Sequence, residues 1–215
     1  MHTMSHESSQ KVRPLLIATS NRGKLQEYHE LFEGLPFALV DLRTAGIDEP
    51  VEETGTTFEE NARLKAETYA HRSGMLTLAD DSGIEVAALG GAPGLLSARY
   101  GGEGLNDVAR YRLLLHNLEG HPLSERGARF VCVIALATPG HDTVTVEGVV
   151  EGIIAEAPRG TNGFGYDPIF LLPDRGHTMA ELDAREKNRI SHRARAAHQI
   201  RIHLEHMAGF GDKPG

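Results

Sequence analysis

The chain has 215 residues, with 22 Lys+Arg against 30 Asp+Glu; the formal net charge of −8 argues against the broad basic surface that non-specific nucleic-acid binding needs. Hydrophobic residues make up 40% and charged residues 24%, proportions of a chain that folds around a core, and the length suits one domain or one with two lobes. A single cysteine, Cys132, excludes an internal disulfide and a multi-cysteine zinc site, and the longest apolar run, 130–137, is far short of the ~18 residues that mark a membrane span.

Residues 1–13 are polar and lack the apolar stretch of a secretory signal, so they are read as a disordered tail and the expected setting is a reducing cytoplasm. A single domain is expected over 14–208, with a short tail at 209–215. The run PLLIAT (14–19) predicts a buried strand. After the turn SNRGK, Leu25, Tyr28 and Phe32 fall on one helical face that Gly34 and Pro36 end. Residues 41–60 then carry seven carboxylates (Asp41, Asp48, Glu49, Glu52, Glu53, Glu59, Glu60) against Arg43 alone, an acidic loop. Thr57 followed by Glu60 fits a capping box and starts a helix through about Ser73, with Ala62, Ala66, Tyr69 and Ala70 inward and Gly74 as the stop.

MLTLADDSGIEV follows, a strand running into a double aspartate. Residues 90–104 hold six glycines and read as an ordered loop. Asn106 can cap a third helix with Val108, Tyr111, Leu115 and Leu118 inward, ended by Gly120 and Pro122. The β-rich runs 127–138 and 143–154 flank PGHD and form the clearest hairpin. The last strong element starts near Ser191, with Ala197, Ile200, Leu204 and Met207 as its stripe. Strands alternating with helices plus one long hairpin predict an α/β fold with a mixed sheet.

Five segments carry chemistry. Thr19 to Lys24 (TSNRGK) joins a strand to a helix N-terminus, where free N–H groups and the dipole favour an anion and Lys24 adds a point charge for phosphate; an ordinary helix cap is the competing reading. Asp80-Asp81-Ser82-Gly83 ends the apolar strand, and adjacent carboxylates there are best tolerated near a cation. One aspartate can hold Mg²⁺ while the other orients or deprotonates water, although a strand-capping turn would use the same residues. The acidic loop from Glu49 to Glu53 can add a further Mg²⁺ ligand, but Mg²⁺ takes only one or two carboxylates, so most of these acids are spectators. Asn162 to Pro168 (NGFGYDP) alternates glycine with aromatics, suited either to a flat ligand or to filling a core, and Asp167 can accept from a base edge. Residues 185–201 carry six basic side chains against Glu186, a local +5. Lys187, His192 and Arg193 near the turn are the candidate contacts there. None of the twelve histidines forms a convincing metal site, and Cys132 sits within a β run with no reason to be reactive.

Taken together and in this order, TSNRGK, EETGTTFEENARLKA, ADDSGIEVAALGGAPGLLSARY, NGFGYDPIF and EKNRISHRARA resemble the non-standard purine nucleoside triphosphate pyrophosphatases, the inosine/xanthosine triphosphate pyrophosphatases or Ham1-like family. The resemblance spans roughly residues 14–207. It implies Mg²⁺-dependent hydrolysis of dITP, ITP and XTP to the monophosphate and pyrophosphate, cleansing the nucleotide pool. It also implies an elongated mixed sheet with flanking helices, two lobes around a central cleft, and a homodimer. Carried over by motif, Asp81 is the proton acceptor that activates water and Ser82 touches substrate. Asp81 and Glu53 serve the metal, with Asp80 a further contributor. Thr19, Ser20, Asn21, Arg22, Gly23 and Lys24 cradle the triphosphate, helped by Lys65. Phe164, Gly165, Tyr166, Asp167, Lys187, His192 and Arg193 hold the base and sugar. Ser20 stands where many relatives have glycine. Two rival readings are a purine-nucleotide-binding sensor without hydrolysis and an RNA-binding protein using the C-terminal basic helix; the net charge of −8 weighs against the second.

Overall fold

The computed structural model describes residues 12–209, so most of the N-terminal tail and all but the first residue of the C-terminal one lie outside the described residues. Strand β1 (Arg13–Ile17) buries Leu15, Leu16 and Ile17 and leads into helix α1 (Arg22–Leu31). Arg13, assigned above to the tail, is part of β1: it pairs opposite Phe37, and its guanidinium donates to the Met207 carbonyl. Asn21 caps α1, its side-chain oxygen accepting the Lys24 N–H at 3.1 Å. Strand β2 (Phe37–Asp41) then returns parallel to β1. It is absent from the sequence reading because its apolar run, FALV, is only four residues long and the strand is a partly exposed sheet edge.

Helix α2 (Phe58–Ser73) starts at Thr57 and ends at Gly74, as its pattern predicts, with Ala62, Ala66, Tyr69 and Ala70 all buried. The capping box is offset by one residue: Thr57 accepts the Glu60 N–H, but the Glu60 carboxylate reaches back to the amide and hydroxyl of Thr56. Strand β3 (Leu76–Val86) corrects one expectation. The double aspartate does not end it. Asp80 and Asp81 lie mid-strand, because β3 stays paired antiparallel with β4 (Gly127–Ala137) from Thr77 to Val86. Its other neighbour is the one that stops: β1 pairs with β3 only as far as Ile17 opposite Leu78. Just past that rung the β3 edge opens into a crevice, and the aspartates face it.

Helix α3 (Asp107–Asn117) is capped by Asn106 as read, but Val108 is exposed and Leu114 is the fully buried position. Strand β5 (Val144–Ile154) completes the predicted hairpin with β4, Leu136 opposite Val144. Strands β6 (Phe170–Leu172) and β7 (His177–Thr178) and helix α4 (Ala184–Ile190) are too short to have announced themselves by periodicity. Ser191 ends α4 and caps α5 (His192–Met207). The sheet order is β2-β1-β3-β4-β5-β6-β7, mixed, with helices on its faces.

The core forms three clusters strung along this sheet. Leu15, Ile17, Leu78 and Ile134 meet Tyr28 of α1 and Ile200 and Leu204 of α5 on one face. On the other face Leu16, Ala79, Val133 and Ala135 meet the alanines of α2. That alternation follows the two-residue period of a strand buried on both sides. Farther along, Ile84, Phe130, Val150 and Ile154 join Leu114, Phe170 and Met179 in a separate core. The 11-residue strands β3, β4 and β5, each ~36 Å long at ~3.3 Å per residue, run through both lobes and tie them together. Ile134 is fully buried on the middle strand. Ile134→Ala is expected to cost about 3 kcal/mol of stability, read as a lower urea midpoint with an unchanged slope.

Candidate active site

Between the lobes lies a cleft of about 760 Å³. Thr19, Ser20, Asn21, Arg22, Lys24, Glu53, Lys65, Asp80, Asp81, Ser82, Phe164, Gly165, Tyr166, Asp167, Lys187, His192 and Arg193 all line it. Of the residues to which the family resemblance gives a role, only Gly23 does not. An ideal Cβ on Gly23 would lie 2.5 Å from a ring carbon of Phe164. Gly23 therefore leaves room for an aromatic neighbour.

The phosphate-type end is built on α1 and α2. Lys24, in the first turn of α1, places its ammonium 2.8 Å from Asp80 Oδ2. One face of α2 presents Lys65, whose ammonium is 2.5 Å from Glu53 and 3.7 Å from Asp81. Asn61, four residues before Lys65 on that face, donates to Asp81 Oδ2 at 3.1 Å and accepts from the Gly55 amide. Asp81 and Glu53 thus converge on a single ammonium. Burial pushes the Asp81 carboxyl above its usual range and the Glu53 charge adds to this, while Lys65 and Asn61 pull the other way.

Asp80 behaves oppositely. It is buried, which alone would raise its pKa, but Lys24 and Arg193 hold it well below the usual carboxylate range. Arg193 is itself almost wholly enclosed: it lies 2.6 Å from Glu27, 3.4 Å from Asp80 and 3.0 Å from the Ser82 hydroxyl. Glu27 also pairs with Lys187 at 2.8 Å, and Lys187 reaches Asp167 at 2.5 Å. Burial opposes ionisation of Glu27, yet Arg193 and Lys187 bring its pKa below the usual 4.5. A chain of alternating charge therefore runs from Lys24 through Asp80, Arg193, Glu27 and Lys187 to Asp167.

At the far end Phe164 faces these cations, with Lys187 Nζ 4.8 Å and Arg193 Cζ 5.6 Å from its ring centroid. Asp167 Oδ2 accepts the Phe164 amide at 2.9 Å besides the Lys187 ammonium. Tyr166 is mainly structural: it is buried in the second core and donates its hydroxyl to the Ser97 carbonyl. His192 stacks on Phe130 at 4.6 Å between ring centroids. Burial, with Arg193 and Lys187 nearby, pushes its pKa well below 6.5 and keeps it neutral. Arg185, Arg189 and Arg195 are exposed, as a helix requires of some of its basic residues, and Arg195 donates to the Val149 carbonyl of β5. Cys132 is buried, and its thiol is pushed up to about 12, chiefly by burial and then by Asp80.

Sequence reasoning missed Glu27 and Asn61. Their signal was spacing: Glu27 is one turn from Lys24 and adjacent to buried Tyr28, and Asn61 is one turn before Lys65. Among the described residues no group of three or more His, Cys, Asp or Glu side chains is arranged to hold a metal. The donor set nonetheless fits Mg²⁺, a hard ion commonly bound by one or two carboxylates together with waters and substrate phosphates. Glu53 and Asp81 are the two carboxylates that share the Lys65 ammonium in the cleft, whereas Asp80 Oδ2 is engaged by Lys24 and Arg193.

Residues 15–203 match the Ham1 family. The chain is 50% identical to the dITP/XTP pyrophosphatase of Bacillus licheniformis over 194 residues, covering 90% of this chain and 99% of that protein. It is 48% identical to the dITP/XTP pyrophosphatase of Bacillus subtilis, covering 90% and 98%. Among solved structures, a HAM1 protein from Coxiella burnetii superposes with a TM-score of 0.82 at 43% identity, covering 90% of this chain and 99% of that one. Among the described residues no helix is long and apolar enough to cross a membrane.

The charge chain makes a pH-dependent prediction. A carboxylate whose folded pKa is depressed stabilises the fold above its unfolded value and loses that contribution as the pH falls through the folded one. Glu27→Gln is expected to cost about 3 kcal/mol near neutral pH, because Arg193 and Lys187 lose a buried partner. Chemical denaturation from pH 7 downwards should show the gap to wild type narrowing below pH 4.5, as Glu27 protonates in the wild type.

Proposed function

This chain belongs to the Ham1 family, and from that membership and the geometry of the cleft we propose that it hydrolyses dITP, ITP and XTP to the nucleoside monophosphate and pyrophosphate. The carrying observation is the position of Asp81, a carboxylate of raised pKa between a lysine end and an aromatic end of one cleft. Lys24 and Lys65 suit a polyphosphate; Phe164, Lys187, His192 and Arg193 suit a purine and its sugar.

Asp81 accepts a proton from water, whose oxygen attacks the α-phosphorus. The bond from that phosphorus to the bridging oxygen breaks, and pyrophosphate leaves. Lys24 and Lys65 stabilise the charge that gathers on the departing oxygens, and preplaced cations of this kind are worth about a few kcal/mol each. Lys65 also keeps Glu53 and Asp81 together against their mutual repulsion. Glu53 and Asp81 would hold Mg²⁺, which when bound would neutralise further charge on the polyphosphate. Asp80 serves better as the counter-ion that holds Lys24 and Arg193 in place than as a metal ligand.

Selectivity follows from buried donors at the base end. Lys187 has three N–H donors and gives two of them to Glu27 and Asp167. A 6-keto purine offers an acceptor to the one that remains, whereas a 6-amino group would leave it unpaired. A homodimer and a cytoplasmic setting, both expected from the sequence, complete the proposal.

The test is a nucleotide panel with and without Mg²⁺, scoring pyrophosphate separately from phosphate. Pyrophosphate from dITP and XTP, little from dATP, and loss of turnover on chelation are expected. Nucleotide affinity without any turnover would instead favour a purine sensor. Asp81→Asn should cut kcat by at least about a hundredfold in a protein of unchanged circular dichroism; an active, folded variant would reject Asp81 as the base. Lys24→Ala should raise KM for every triphosphate alike while keeping the metal requirement, and unchanged kinetics would reduce that loop to a helix cap.

A further inference from the structure

We propose that Asp107, at the start of α3, is a positioning residue that latches the aromatic loop over the base end of the cleft; this rests on the reading of the site just given. Phe164 lies between Gly163 and Gly165, whose φ angles of +73° and +62° are conformations that other residues rarely adopt. Within the loop Asp167 holds the Phe164 amide, and glycine on both sides removes side-chain limits on the flanking backbone, so a restraint from outside the loop bears on where the ring stands. Asp107 Oδ2 accepts the Gly165 amide at 2.8 Å, and among the described residues this is the one hydrogen bond from α3 to the loop.

The latch is itself braced. Arg110, one turn further along α3, donates to Asp107 Oδ1 at 2.8 Å and to the Leu105 carbonyl at 2.6 Å. Both Asp107 and Arg110 line the cleft. The contact crosses from α3, packed on the second lobe, to the loop whose Phe164 ring rests over Gly23 at the foot of α1. Asp107 therefore acts through Phe164: it sets where the ring stands against the base and leaves the lysine end alone. Nothing in the local sequence announces this, since Asp107 and Gly165 are 58 residues apart.

The experiment compares wild type, Asp107→Ala and Asp107→Asn in steady-state hydrolysis of dITP, with inhibition by inorganic triphosphate measured alongside. Inorganic triphosphate has no base and probes Lys24 and Lys65 only. Asp107→Ala is expected to raise KM for dITP about tenfold, the worth of one well-formed hydrogen bond, with kcat within about twofold and the inhibition constant of triphosphate unchanged. Asp107→Asn keeps an oxygen acceptor for Gly165 but not the charge for Arg110, and should recover part of the loss. An unchanged KM in Asp107→Ala overturns the latch, as does an equal loss for dITP and for inorganic triphosphate, which would mark a general weakening of the fold. If wild type does not turn over dITP, the proposed function fails; the same comparison made on dissociation constants then decides the latch, with the same outcomes for and against.

Discussion

Arg193 is buried between Glu27 and Asp80, and the site is assembled around that pairing. A lone guanidinium at this depth would cost far more than the fold could recover, so its burial is possible only with carboxylates supplied by other elements. Glu27 comes from α1 and Asp80 from the middle of β3, and each in turn takes a lysine, Lys187 and Lys24. Asp167 balances the last of these cations. Three carboxylates and three cations then alternate with no net charge, drawn from α1, β3, α4, α5 and the turn at Asp167. Such an array adds little net stability by itself, but it admits few alternative arrangements, because a displaced member leaves a buried charge unpaired.

The sheet provides the other half of the arrangement. β1 stops at Ile17 while β3 continues to Val86, so one edge of β3 is exposed to a crevice directly beyond the last shared rung. In open α/β sheets this is where ligands bind, next to a helix N-terminus. Here the adjoining helix is α1, and Lys24 comes from its first turn. Neighbouring aspartates on one strand point to opposite faces, which explains why Asp80 and Asp81 have different fates. Asp80 turns toward Lys24 and Arg193 and is held ionised. Asp81 turns toward Asn61 and Lys65 of α2 and remains the more basic carboxylate. The same pair of letters thus supplies one structural anion and one chemically available group.

Much of this was legible beforehand. The helix bounds at Thr57 and Gly74, the caps at Asn106 and Ser191, and the long hairpin around PGHD follow from local rules of capping, periodicity and turn chemistry. Elements without a local signature were not legible: β2 is a short edge, β6 and β7 are brief, and α4 is a two-turn helix among polar residues. Extension of β3 through two aspartates was hidden for a different reason. Adjacent carboxylates argue against a buried strand until the cations that neutralise them are known, and those of Asp80 lie more than 50 residues away in one direction and more than 100 in the other.

Sequence alone therefore determined the type of each chemical part: a lysine-bearing helix start, a carboxylate pair, a glycine-aromatic loop and a basic turn, in an order that resembles one family. Those assignments depend on residue type and short spacing, which the chain carries within a few residues. Only the tertiary structure decided which carboxylate stays the more basic, that the Phe164 ring packs against Gly23, and that Glu27, Asn61 and Asp107 lie among the site's side chains. These depend on electrostatic and steric partners far apart in sequence, and partnership of that kind exists only once the lobes have closed around the charges they share.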